Sequence, residues 1–231
     1  MTNINITDKL NRIIIVTGHY GSGKTEFSVS LAMQYATHSQ LALCDLDVVN
    51  PYFRSREMRK TLENVGIGVY GSAFEEEITA ELPALSASIR APLENTACKV
   101  IIDTGGNDTG ALVLNQFSKY FTKKETTVLA VINTNRPETS DINGALEHIE
   151  AIEKITKLKV SGIVNNTHML RETTSEDIIK GHKICKEISK KTGSFLLCNC
   201  YPKGIIDPKQ IVELENLMPL GLYMRPTWLD K

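Results

Sequence analysis

Apolar residues along this chain come in short unbroken runs, each closed by polar or glycine-bearing residues and followed by a longer segment of helical spacing. The runs are RIIIVTG (12–18), LALCDLD (41–47), KVIIDTGG (99–106), TTVLAVINT (126–134), KVSGIVNN (159–166) and SFLLCNC (194–200). Unbroken rather than alternating apolar strands are strands covered on both faces, which predicts a mostly parallel central sheet with helices on each side, a three-layer α/β fold. The spacing predicts helices over 25–37, 140–157 and 174–191; in the second, Ile142, Leu146, Ile149, Ile152 and Ile155 recur every three or four residues and are expected to face the sheet. The stretch 66–98 shows little pattern beyond a helix expected after Pro83. No linker, repeat or low-complexity tract interrupts the chain, so residues 1–231 read as one domain. Ligands of such sheets bind outside the carboxyl ends of the strands, so polar residues there are the first candidates for chemistry.

At the end of the first run stands GHYGSGKTE (18–26), in which Gly18, Gly23, Lys24 and Thr25 satisfy the pattern G-x-x-x-x-G-K-[ST] between a strand and a helix. Glycines such as Gly18, Gly21 and Gly23, with Ser22 between them, let the chain wrap with its N–H groups inward, and the helix beginning near Thr25 and Glu26 adds its positive end. Lys24 is expected to bridge β- and γ-phosphates, and the Thr25 hydroxyl to ligate Mg2+. A phosphate loop alone leaves that ion under-coordinated and the attacking water unplaced, so carboxylates are needed at neighbouring strand ends. Two runs supply them. One carries Asp45 and Asp47; the other carries Asp103 in D-x-x-G through Gly106, whose N–H could approach the γ-phosphate. Asp108 reads as a helix N-cap instead.

Composition removes other functions. With 26 basic and 27 acidic residues the net charge is −1, so no global field attracts nucleic acid or anionic lipid. No apolar stretch approaches the roughly 20 residues that span a bilayer, and the opening MTNINITDKL lacks the apolar core of a signal peptide, so a cytoplasmic protein is expected. Five scattered cysteines, Cys44, Cys98, Cys185, Cys198 and Cys200, suit a reducing compartment and read as small hydrophobes rather than a metal site. His38, His148, His168 and His182 read as surface or sheet-edge residues without ligand spacing.

The succession of phosphate loop, DLD (45–47), DTGG (103–106) and VNN (164–166), with INTNRPETSD between the last two, resembles the MinD/ParA/nitrogenase iron-protein and CobQ/CobB group of P-loop ATPases, the SIMIBI class, over roughly Arg12 to Pro202. The resemblance implies an ATPase that dimerises face to face with nucleotide at the interface. In it Asp47 orients the attacking water, Asp103 supports Mg2+, and Asn166, or alternatively Asn165, reads the base. The chain departs from the group at His19, where MinD/ParA proteins carry a lysine that reaches the partner's phosphates; GHYGSGKT is closer to the loop of signal-recognition GTPases of the same class. Arg54 or Arg56 in NPYFRSRE could supply the missing cation. The carboxylate of the guanine-reading [NT]-K-x-D pattern is absent from both TKLK (156–159) and NNTH (165–168), which favours ATP.

The C-terminal LENLMPLGLYMRPTWLDK, with two prolines and mixed charge, is no basic amphipathic membrane helix. The expected function is that of a slow, Mg2+-dependent ATPase acting as a nucleotide-gated switch on a protein partner. The alternatives are an ATP-dependent carboxylate amidoligase resembling cobyrinate diamide and dethiobiotin synthetases, or a non-hydrolysing nucleotide-dependent binding module.

Overall fold

The computed structural model describes residues 6–36, 40–47, 58–71, 89–106 and 108–224. Arg54, Arg56, His38 and the last seven residues lie outside them, as does the part of the stretch after Pro83 up to residue 88; the rest of that stretch carries a short helix at Arg90–Glu94. Eight strands form one sheet: β1 Ile13–Thr17, β2 Leu41–Leu46, β3 Ile67–Tyr70, β4 Lys99–Thr104, β5 Thr126–Ile132, β6 Gly162–Asn165, β7 Phe195–Pro202 and β8 Leu217–Leu220. Their order is β3-β2-β4-β1-β5-β6-β7-β8, and every neighbouring pair is parallel. Among the described residues six α-helices accompany them: α1 Lys24–Tyr35, α2 Arg59–Glu63, α3 Arg90–Glu94, α4 Asp108–Leu112, α5 Ile142–Thr156 and α6 Ser175–Thr192.

The apolar runs explain the layers. Ile14 and Val16 of β1 pack with Phe27 and Leu31 of α1 on one face, while Ile13 and Ile15 pack with Ile149 of α5 and Ile188 of α6 on the other. Each such buried aliphatic side chain contributes about 1.5–3 kcal/mol relative to exposure, so both faces must be covered for the strands to hold. Between β6 and β7 the register shifts after Ile163, and Leu197 is the extra residue; Leu197 and Cys198 consequently join the same core. Helix starts are locally encoded: Asp141 accepts from the Gly144 amide at 2.9 Å, and Thr174 with Asp177 forms a reciprocal capping box.

Two strands escape the sequence pattern. β3 is short and only alternately buried, in a glycine-rich stretch, and β8 contains Pro219, which cannot donate to a ladder. Both stand at the sheet edges, where such residues are tolerated. Among the described residues no helix is long and apolar enough to cross a membrane.

Candidate functional site

The middle of the sheet places β1 between β4 and β5, so the loop after β1 emerges where connections leave in opposite directions. That loop turns through Gly23, held at φ 79°. A side chain there would run into the Asn166 amide, and only glycine adopts the turn without strain. No side chain caps α1, so its first amides are left for an anion. The Ser22 hydroxyl is buried with no hydrogen-bond partner among the described residues.

Lys24, only 5% exposed at its side chain, places Nζ 3.4 Å from Oδ2 of Asp47, which is 1% exposed. Asp47 stands one residue past the end of β2, and its amide donates to Asp45 Oδ1 at 3.0 Å. Asp45 thus turns the chain that delivers Asp47 to the lysine. Asp103 lies beside both β1 and β2, in register with Val16 and Asp45. It is fully buried, and its Oδ1 lies 3.3 Å from the Ser28 hydroxyl of α1. Burial pushes the Asp103 carboxyl well above the ordinary carboxylate range, with Lys24 and a hydrogen bond from Thr25 pulling it back. Beyond β4, Gly105 and Gly110 touch backbone to backbone: a Cβ on Gly105 would lie 2.6 Å from Gly110 Cα. This contact leaves Gly106 over residues 18–20 of the phosphate loop.

The loops after β5 and β6 brace the phosphate loop from the other side. Asn133, fully buried, donates to Gly21 O at 3.3 Å and His168 O at 3.2 Å, while its Oδ1 accepts from the amides of Asn135 and His168. Arg136 Nε donates to Gly21 O at 3.1 Å. Asn166 Nδ2 donates to Ser22 O at 2.7 Å. Asn165 behaves differently from Asn166: it is spent on Ile178 O, Asn199 Oδ1 and Thr167, away from the cavity.

A cavity of about 320 Å³ opens beside Lys24, Thr25 and Glu26 and continues between the loop after β6 and the ends of β7 and β8, where Leu170, Pro202, Leu220, Leu222 and Met224 make it apolar. Leu170 and Leu222 are both held at positive φ, 56° and 51°, which is uncommon for leucine. Glu26 accepts from the amides of Tyr223 and, at 3.0 Å, Met224. His168 lines this cavity rather than the surface expected of it; burial lowers its pKa from 6.5 to about 4, aided by Arg136. No sequence pattern marked His168, because its role comes from the loops it joins. His19 stands edge-on to His148 at 5.4 Å, and His182 pairs with Asn199 at 3.1 Å.

All five cysteines are buried and free, with Cys198 and Cys200 sulfurs 4.0 Å apart, too far for a bond of about 2.05 Å. Among the described residues no group of three or more His, Cys, Asp or Glu side chains could hold a metal alone. With the orphaned Ser22 hydroxyl, the uncapped α1 and the Thr25 hydroxyl hydrogen-bonded to Asp103, the residues present fit a magnesium–nucleotide.

No protein-family model matches the chain, and no curated protein matches it. Solved structures do. Cell division protein FtsY from Thermotoga maritima superposes with a TM-score of 0.54 at 23% identity, over 80% of this chain and 59% of that one. Chloroplast FtsY from Physcomitrella patens gives 0.57 at 16% identity, over 87% and 63%. The signal recognition particle 54 kDa protein from Aeropyrum pernix, in complex with GDP, gives 0.52 at 20% identity, over 82% and 41%. The chain therefore spans less than two thirds of the length of each. The all-parallel eight-stranded sheet with its helices is a P-loop NTPase-like α/β fold, like that of FtsY.

Proposed function

We propose that this chain is a single Mg2+-dependent ATP-binding domain, cytoplasmic, that hydrolyses ATP slowly and uses the nucleotide to switch its affinity for a protein partner. The observation that carries this reading is the buried Lys24–Asp47 pair at the phosphate loop, beside Asp103 and at the mouth of a cavity with an apolar far end. A lysine buried against one carboxylate is poised to exchange it for phosphate oxygens. Lys24 then neutralises the β- and γ-phosphates, and Asp47, relieved of the lysine, faces the water that attacks. Bound Mg2+ would neutralise charge developing on the transferred phosphoryl group. The Thr25 hydroxyl and Asp103 would hold it. Gly106, set against the loop, is placed to offer its N–H to the γ-phosphate and to sense its loss.

The base slot supports ATP over GTP. Guanine presents an N–H and an amino donor that a carboxylate reads, whereas Glu26, the one carboxylate lining the cavity among the described residues, spends its oxygens on two backbone amides. The GDP-bound relative keeps GTP as the competing reading. A face-to-face homodimer closing over nucleotide belongs to the same reading.

Titration calorimetry with Mg·ATP and Mg·GTP, followed by phosphate release, tests the whole. ATP is expected to bind more tightly, Lys24→Ala to bind neither, and Asp47→Asn to keep its affinity while turnover falls by about a hundredfold or more. Release only upon addition of a carboxylate metabolite would replace the switch by an amidoligase. Wild-type protein that binds no nucleotide would end the reading.

A further inference from the structure

The far wall of the cavity belongs to neither the phosphate loop nor the loops that brace it. It is the segment leaving β8, which brings Leu220, Leu222 and Met224 against Leu170 and Pro202. This segment is fastened to α1 itself. The Glu26 carboxylate takes the amides of two consecutive residues, Tyr223 and Met224, and one turn further along α1 the Ser30 hydroxyl accepts the Gly221 amide at 3.2 Å. Between those clamps Leu222 is held at φ 51°, a conformation leucine keeps only when its surroundings impose it. At Gly221 the chain passes so close to the Tyr223 ring that a side chain would collide with it.

A carboxylate directly after Thr25 is an unexpected choice. The same helix turn is to receive a triphosphate, and like charges at this range repel. Burial raises the Glu26 pKa, and the two amides it accepts pull it back towards the ionised form, the strongest acceptor for such a pair.

Resting on the nucleotide reading above, we propose that Glu26 is a positioning residue for the nucleoside half of the ligand: its carboxylate holds segment 221–224 as the apolar wall of the base slot and so determines how much the base adds to phosphate binding. Phosphate recognition stays with the loop amides, Lys24 and Thr25.

The proposal separates two quantities that a loosened fold would lower together. Full-length wild-type protein, Glu26→Ala, Glu26→Gln and Ser30→Ala are titrated with Mg·ATP and with Mg·tripolyphosphate, which carries the phosphates without base or sugar. Wild type is expected to prefer ATP by tenfold or more, and Glu26→Ala to lose about tenfold of that preference while its tripolyphosphate affinity stays level or rises with the lost negative charge. Glu26→Gln, which keeps one acceptor oxygen, should fall between, and Ser30→Ala should lower the preference less. An ATP-to-tripolyphosphate ratio unchanged in Glu26→Ala and Ser30→Ala overturns the proposal. So does an equal loss of both affinities. Wild-type protein that binds neither ligand removes the nucleotide reading itself, a result distinct from both.

Discussion

Lys24 and His168 show how differently two residues of one site are written in a chain. Lys24 belongs to a pattern of eight consecutive positions, and the strand before it and helix after it follow from local apolar spacing. His168 has no such neighbourhood. Its backbone is gripped by Asn133, 35 residues away, and its half-buried imidazole lies against the phosphate loop near Gly23. Its titration gives a prediction. The folded protein holds His168 neutral, with a pKa of about 4 against an ordinary 6.5. Above pH 6.5 the resulting stability is present in full; as the pH falls towards 4 the unfolded chain takes up a proton that the fold refuses, and stability declines. Denaturant unfolding of the nucleotide-free protein at pH 7 and pH 4 should show a loss to which His168 contributes on the order of 3 kcal/mol, and His168→Gln should flatten that part of the profile. An identical pH dependence in the variant would mean that the imidazole titrates normally.

The elements at the candidate site are the strand ends, and Asn133, with Arg136 and Asn166, ties them together. Asn133 satisfies both amide protons and its carbonyl oxygen by linking the loop after β1 to the loops after β5 and β6. Asn133→Ala leaves several of these buried groups unpaired and should cost about 2–4 kcal/mol in denaturant unfolding, with a parallel loss of nucleotide affinity. A change in affinity without one in stability would mean that Asn133 touches ligand rather than loops. Six of the eight strands and the three longest helices were legible, because buried parallel strands and sheet-facing helices impose unbroken and three-to-four spacing on the sequence. The edges were not, since an edge strand is buried on fewer sides and may contain proline. The contact between Glu26 and Met224 spans 198 positions and left no local trace at all.

At the scale of the molecule, phosphate loop, carboxylates and cavity converge on the carboxyl edge of a single sheet, so a nucleotide bound as proposed is expected to brace strands from β2 to β8 together. At a hundred times its dissociation constant Mg·ATP would add about 2.7 kcal/mol to the folded state, a rise of roughly 5–10 °C in the midpoint of thermal unfolding. Mg·GTP at equal concentration should raise it less, and size-exclusion chromatography with a non-hydrolysable ATP analogue should show the closed dimer. The order of strands carries a consequence for biosynthesis. Among the described residues β8 is the last strand yet supplies one wall of the cavity, while the phosphate loop follows the first strand. A ribosome therefore releases the phosphate loop well before the segment that walls the cavity, so nascent chains arrested ahead of Leu217 would lack that wall.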